Sequence, residues 1–398
     1  MTEHLAPTAL MAHIRALADD IGPRPAGTPR EAQARAYVSR VLAEIGFDQI
    51  ETLPFRAPET WGWYLALPAA LALAGNFALA GRRGRLLGGL LALWAAQAVW
   101  STYRSQRSPV ITALIPTGPS ATQVVRVPAK IEPRAWLVYI GHVDANRHRL
   151  TFSNANKRLM RVYGTAGLLG LALNGLFQLR RAVGSRRAGG GLYNLSVVGM
   201  LSALGLLIAD EQGPWVDGAN DNATAVACLL GLAAHLKASP LDYVEVWFAF
   251  TGAEEVGGLG THALLDAHGE TLRDAFFLDF EMVGAGELAY VSDHGVSYLS
   301  RYAPDPYSAM LAVETARSNP EFADVRGQAM TIVEEVGALR GRGHRGLCVV
   351  GVGADGFLVN WHRRSDVSAN IEPDKVARAA RFGLAYAHTL DQHWKHRL

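Results

Sequence analysis

Histidine and carboxylate side chains recur in five short stretches that end or follow apolar runs of the sequence. The first stretch contains His142 and Asp144, two residues apart at the end of one apolar run, so both side chains can point to the same side of a strand. A carboxylate beside a histidine fixes the ring tautomer and raises its basicity, as a metal ligand requires. The last stretch contains His362 in a polar loop, where a histidine is either structural or a ligand.

Three further stretches supply acids. Asp221 precedes a predicted helix, where an aspartate serves as a helix cap or as a metal ligand. Glu254 and Glu255 follow a buried strand among glycines, and adjacent side chains point in different directions, so one can bind metal while the other acts on water. Asp279 and Glu281 lie inside an apolar run, where burial is costly unless the acids are paired or bind a metal.

Alternating apolar strands and helices must position these residues. The predicted strands are 49–55, 110–115, 136–143, 243–250, 275–282, 288–291 and 347–352, and the main predicted helices are 223–236, 260–267, 306–315 and 373–390. This pattern predicts an α/β fold with a mixed, largely parallel sheet flanked by helices. Such sheets place their sites at the carboxyl ends of strands, which is where the five stretches lie.

Charged residues make up only 19% of the 398 residues, against roughly 25% in typical soluble domains. The shortage is concentrated in four segments without Asp, Glu, Lys or Arg, at 61–80, 86–103, 162–179 and 188–209. Each is close to the roughly 20 residues that cross a bilayer. We therefore predict two inserted hydrophobic helical hairpins, with buried core helices as the alternative.

These insertions divide the chain into a catalytic domain (1–57, 106–155 and 212–398) and two hairpins (58–105 and 156–211). The expected location is a membrane, and the expected partner is a lipid bilayer. The four segments would either cross the bilayer, which makes the chain a multi-pass protein, or lie in its interface. Both orientations stay open, because six basic residues flank the segments on the domain side and seven arginines lie at the tips: Arg82, Arg83, Arg85, Arg180, Arg181, Arg186 and Arg187. A net charge of +2 without a long basic run argues against a nucleic-acid partner.

Taken in order, the five stretches resemble those of the M28 family of zinc-dependent peptidases, which are mostly aminopeptidases with two co-catalytic metal ions. The stretch GANDNAT around Asp221 is similar to the family's GADDNAS, and NWHRRSD around His362 is similar to its YHTPxD. The resemblance extends from about residue 8 to residue 390, apart from the four apolar segments. It implies a zinc exopeptidase-like fold.

The resemblance also implies roles for single residues. Two zinc ions would be bound by His142, Asp221, Glu255, Glu281 and His362, with Asp221 bridging them. Glu254 would be the general base and Asp144 would orient His142. Asn220 replaces the first of the family's paired acids. Asp279 competes with Glu281 as the fourth ligand, because both would face the same side of one strand.

The implied activity is hydrolysis of a peptide substrate, with an aminopeptidase as the first candidate. A related amide-processing zinc enzyme, such as a cyclase or a deacylase, is an alternative on the same fold. A non-catalytic membrane scaffold is a third possibility, but it predicts missing ligands, and all five ligand positions are filled.

Overall fold

The computed structural model describes residues 3–78, 81–184 and 190–395, and these residues contain one sheet of eight strands. The strands are β1 (Glu51–Ala57), β2 (Gly118–Val127), β3 (Ala135–His142), β4 (Val244–Thr251), β5 (Phe276–Glu281), β6 (Glu287–Asp293), β7 (Gly327–Ala329) and β8 (Leu347–Val352). Their order across the sheet is β1-β2-β4-β3-β5-β8-β6-β7. The predicted α/β class with a mixed, largely parallel sheet is confirmed.

The four central strands determine where chemistry can take place. β4, β3, β5 and β8 run parallel to one another, whereas β2 and β6 flank them in the antiparallel direction. Strands covered on both faces need apolar side chains along their whole length, and β3, β5 and β8 are almost completely buried. The parallel direction brings the carboxyl ends of these four strands to one edge of the sheet.

Helices cover both faces of the sheet. One face carries α1 (Pro7–Arg15), α2 (Pro29–Ile45), α8 (Thr224–Ala238), α10 (Pro306–Ser318) and α12 (Pro373–Lys395), and the other carries α9 (Leu259–His268) and α11 (Glu335–Gly341). α8 is apolar on all sides and almost wholly buried, as a helix between a sheet and other helices must be. It therefore holds the turn before its first residue rigidly against the strand ends.

The strand predicted at 110–115 is wrong, because this segment forms the short helix α5 (Pro109–Leu114). Proline at the first helical position is pre-organised for a helix, and its missing N–H would have no partner there in any case. The strand of this region is β2, which the sequence conceals because polar Thr122 and Gln123 are buried in it. The Thr122 hydroxyl donates a hydrogen bond to the Gly260 carbonyl, which makes its burial tolerable.

The apolar segments form two antiparallel helix pairs that pack into one four-helix unit. Its helices are α3 (Gly62–Ala78), α4 (Gly81–Thr102), α6 (Met160–Ala182) and α7 (Gly190–Asp210). Glycines allow close contact, since a Cβ built on Gly75 would lie 2.8 Å from the Gly88 Cα. Inside the unit the Asn76 amide donates to Asn174 Oδ1 over 3.0 Å. Small residues and interhelical hydrogen bonds of this kind are typical of membrane helix packing.

Within the described residues, two helices are long and apolar enough to cross a membrane, judged by length and composition only: Lys157–Ala182 and Gly190–Asp210. The described part of α3 has 17 residues, and α4 carries three arginines in its first turns. Four crossing segments are therefore not supported. Residues 79–80 and 185–189, which include the predicted tip residues Arg186 and Arg187, lie outside the described residues.

A buried arginine joins the four-helix unit to the sheet domain. Arg149 is fully buried and donates to Glu211 Oε1 over 2.7 Å, just beyond the end of α7. It also donates to Thr60 Oγ1 over 2.8 Å, before α3, and to Asn146 Oδ1 over 3.2 Å, after β3. Its guanidinium stacks 4.0 Å from the Trp61 ring. One side chain thus holds the start of the first hairpin, the end of the second, and the loop that follows β3.

Replacing Arg149 with alanine is expected to destabilise the chain by about 3–5 kcal/mol. Buried Glu211 would lose its closest cation and keep only the more distant Arg147, whose Nε lies 3.9 Å from Glu211 Oε2. Thermal unfolding of the two proteins measures this effect. Arg273→Ala is the control, since Arg273 and its partner Glu270 are both exposed and exposed pairs contribute little. Equal melting temperatures for Arg149→Ala and the control would contradict this role.

Candidate metal and catalytic site

The parallel strand ends bring five of the predicted site residues together. His142 ends β3, and its Nε2 lies 3.4 Å from Asp221 Oδ1 and 3.4 Å from Glu281 Oε2. The His362 Nε2 atom lies 3.2 Å from Asp221 Oδ2 and 3.1 Å from Glu255 Oε2. Asp221 thus presents one carboxylate oxygen to each histidine. The result is two adjoining groups of donors that share a single aspartate.

These donors fit metal ions. Within the described part of the chain, the buried atoms His142 Nε2, Asp221 Oδ2 and Glu255 Oε1 have no hydrogen-bond partner. Such atoms are costly in a folded protein unless a cation satisfies them. Imidazole nitrogen and carboxylate oxygen are ligands that zinc accepts. One ligand atom each of His142, Asp221 and Glu255 lies within 4.8 Å of the other two.

The surroundings of these groups shift their pKa values. Burial alone would raise the pKa of Asp221, but the contacts from His142 and His362 hold it well below its usual range. Burial raises the pKa of the Glu281 carboxyl to about 8. Burial would lower the pKa of His362, yet the charge of Glu255 and the contact with Asp221 raise it to about 9. The cluster therefore attracts positive charge, which divalent cations can supply in place of protons.

Glu254 differs from the ligand-like acids in its position. Its Oε2 atom lies 3.9 Å from His142 Nε2, at the edge of the cluster, and burial raises the pKa of its carboxyl well above the usual value. The preceding Ala253 has φ +55°, and its N–H donates to Glu31 Oε1 over 3.1 Å. A left-handed alanine costs free energy and needs such support. This turn places Glu254 where it can exchange a proton with a molecule beside His142.

Asp144 supports the site in two ways. The His142 Nδ1 donates to the Asp144 backbone carbonyl over 3.1 Å, which leaves Nε2 facing Asp221. The Asp144 carboxylate accepts the backbone N–H groups of Glu254 and Glu255 over 3.1 and 3.2 Å. Asp144 therefore sets the histidine tautomer through its backbone and holds the following glutamate turn through its side chain.

Sequence reasoning assigned no role to several supporting residues. Asp366 accepts the backbone N–H groups of Asn220 and Asp221 over 2.6 and 3.2 Å, and Asn146 donates to Glu255 Oε2 over 2.7 Å. Buried Arg24 donates to the backbone carbonyls of both Val143 and Gly218. Two features of the sequence could have pointed to these residues. Asp366 lies four residues after His362, and Arg24 lies between two prolines.

The Asn220 side chain also has a structural partner on each side. It donates to the Val359 carbonyl over 2.9 Å and accepts the Gly284 N–H over 2.8 Å. It therefore ties the turn before α8 to the loops after β5 and β8. The amide can make both contacts because it carries a donor and an acceptor, whereas an ionised acid would only accept.

The structure separates Asp279 from Glu281. Both lie on β5. Glu281 is its last residue, and Asp279 lies two residues before it, which is a distance of roughly 7 Å along a strand. Asp279 faces a second buried group with Glu334 and Cys348, and burial raises the pKa of its carboxyl well above the usual value. Only Glu281 of the two has a carboxylate oxygen within salt-bridge distance of His142 among the described contacts.

A family comparison agrees with this arrangement. Residues 205–387 match the model of peptidase family M28. This matched segment belongs to peptidase family M28. It includes Asp221, Glu254, Glu255, Glu281 and His362, whereas His142 lies 79 residues before Asp221, on the other side of the second hairpin.

Solved structures show the same fold over nearly the whole chain. A glutaminyl cyclase from Fimbriiglobus ruber is 14% identical, with a TM-score of 0.58 over 98% of this chain and 97% of its own. A zinc aminopeptidase from Bacillus subtilis is 13% identical, with a TM-score of 0.57 over 96% and 95%. A Zn-dependent exopeptidase from Parabacteroides distasonis is 12% identical, with a TM-score of 0.53 over 96% and 98%. No curated protein sequence matches the chain.

Proposed function

We propose that this protein is a zinc-dependent peptidase of family M28 with two zinc ions. His142 and Glu281 would hold one ion, Glu255 and His362 would hold the other, and Asp221 would bridge them. The observation that carries the proposal is the position of Asp221, whose two oxygens face different histidines at 3.4 and 3.2 Å. Zinc bound here would polarise the scissile carbonyl and lower the pKa of a water molecule.

The chain's own residues complete the reaction. Glu254 accepts the proton of the attacking water and delivers it to the leaving nitrogen, which its raised pKa favours. Asp144 keeps His142 in the tautomer that presents Nε2 to the site. An aminopeptidase acting on peptide substrates is the first candidate, because the site offers a base for attack by water and the solved structures with this fold include a zinc aminopeptidase.

A cyclase is the second candidate, because the solved structures with this fold include glutaminyl cyclases. Its nucleophile would be the substrate's own amine, which attacks a side-chain amide and expels ammonia. A deacylase would use the same water as the peptidase. A non-catalytic scaffold would have no use for the complete donor set.

Product analysis distinguishes these activities. The purified protein is incubated with the peptide Gln-Leu-Phe and the products are identified by mass spectrometry. We expect free glutamine and the shortened peptide, loss of both after dipicolinate treatment, and recovery on adding zinc. Ammonia with an uncleaved, cyclised peptide would indicate the cyclase. No product in the presence of zinc, from this peptide or from one whose first residue has a long apolar side chain, would overturn the peptidase proposal.

We further propose that the four-helix unit attaches the protein to a lipid bilayer. Only 11% of the apolar window of α7 is buried, and it exposes Leu195, Val198 and Leu201. A surface of this kind marks a membrane or an interaction site. On flotation with phosphatidylcholine vesicles, the full chain is expected in the vesicle fraction. Recovery in the lipid-free fraction would contradict this proposal.

A further inference from the structure

One cavity joins the metal-binding candidates to the interior of the four-helix unit. It has a volume of about 530 Å³ and is lined by Glu254 and His362 of the site. It is also lined by residues of all four helices, among them Leu65 of α3, Val99 of α4 and Met200 of α7. Ligand pockets have volumes of roughly 300–1,000 Å³, so this cavity is large enough for a substrate.

The cavity is long as well as large. Its lining residues on α6 extend from Met160 to Leu171, about 16 Å of helix axis at 1.5 Å per residue. Gly167 and Gly170 lie on this wall, and a Cβ built on either would meet no described atom within 4 Å. An ordinary amino-acid side chain would occupy only part of this space.

Charge is confined to one end of the cavity. Among the described residues that line it, the acids and the histidine all belong to the site: Asp221, Glu254, Glu255, Glu281 and His362. The walls supplied by the helices carry no charged side chain and are mostly apolar or small, with Thr102, Tyr163 and Ser202 as the polar side chains among the described lining residues. A charged substrate group would lose its hydration there without finding a partner, whereas a hydrocarbon chain would gain free energy.

We propose that the substrate is an amide or peptide that carries a long, uncharged hydrocarbon chain. The hydrocarbon chain of the substrate lies between the four helices, while its scissile bond lies at the carboxylate and histidine cluster. This inference rests on the proposed amide-hydrolysing function and defines its substrate class. The long chain can be the acyl group of an amide or the side chain of a terminal amino acid.

The test compares rates on paired anilides. One pair is acetyl and lauroyl anilide, and the other is alanyl and α-aminolauroyl anilide, so the two sources of the chain are measured separately. Each buried methylene is expected to raise kcat/KM up to about fourfold. In at least one pair, the longer substrate is therefore expected to react at least about 10²-fold faster. Equal rates within both pairs would overturn the proposal.

A variant that fills the cavity tests where the hydrocarbon chain of the substrate binds. Gly170→Leu is expected to lower kcat/KM for the long substrate by about tenfold or more, with little change for the short one. Leucine favours a helix over glycine, so the variant should fold. Gly205→Leu on α7 is the matched control, because Gly205 does not line the cavity and also has open space around it. An unchanged chain-length preference in Gly170→Leu would contradict this location.

Binding separates this proposal from the proposed function. A dansyl-labelled lauroyl amide is titrated into the wild type, Gly170→Leu and Gly205→Leu. Saturable binding to the wild type and the control, weakened at least about tenfold in Gly170→Leu, supports the cavity even if no anilide is cleaved. Absence of saturable binding to the wild type would overturn the inference, whether or not short amides are hydrolysed.

Discussion

Glu254→Gln is expected to lower kcat by about 10²–10⁴-fold while zinc content and melting temperature stay at the wild-type values. Glutamine has the shape of glutamate but cannot accept the proton of the attacking water. The fold should tolerate the change, because the turn is held by backbone hydrogen bonds to Glu31 and Asp144. Steady-state kinetics, metal analysis and thermal unfolding of the same preparations measure the three quantities.

Two further variants complete this test. Glu255→Gln is expected to lose zinc, because the Glu255 carboxylate lies against His362. Glu270→Gln makes the same chemical change at an exposed position and should behave as wild type. Wild-type turnover by Glu254→Gln, or loss of zinc from it, would show that Glu254 is not the base.

Asp221→Asn is expected to abolish detectable activity and to weaken zinc binding by more than about 10²-fold. Changes to residues that merely support metal ligands already cost 10–100-fold in affinity, and a shared ligand should cost more. The amide keeps the size of the side chain but removes the charge between His142 and His362. Both ions should be affected, because each would use one oxygen of this carboxylate.

Equilibrium dialysis against zinc, followed by metal analysis, measures this loss. The control is Asp217→Asn in the same loop, since the hydrogen bond described for Asp217 is accepted by its backbone carbonyl from Arg24 and its carboxylate is not among the donors that face His142 or His362. Circular dichroism verifies that both variants keep the fold. If Asp221→Asn retained two zinc ions per chain, the bridging role would be excluded.

The site stretches could be predicted because their signals are local. The strands that end at His142 and Glu281 are apolar runs, and acids or histidines at their ends stand out in the sequence. The choice between Asp279 and Glu281 could not be made in this way. It depends on the register of β5 beside β3, which pairs Asp279 with Ile140 and leaves Glu281 level with the end of β3.

Other features depend on contacts between distant parts of the chain. Asp366 reaches Asp221 across 145 residues, and Asn146 reaches Glu255 across 109. The sequence around each residue does not indicate which distant residue it will contact. The position of the hairpins over the site is of the same kind, since hydropathy shows that the segments are apolar but not which way they pack. The contacts around Arg149 that fix this arrangement emerge only from the fold.

The central claim is that two zinc ions lie on either side of Asp221. Zinc-edge anomalous diffraction from crystals of the wild-type chain tests it directly. Two peaks are predicted, one beside His142 and Glu281 and the other beside Glu255 and His362. Absence of both peaks from zinc-loaded crystals, or a peak at the buried group of Asp279, Glu334 and Cys348 instead, would contradict the account.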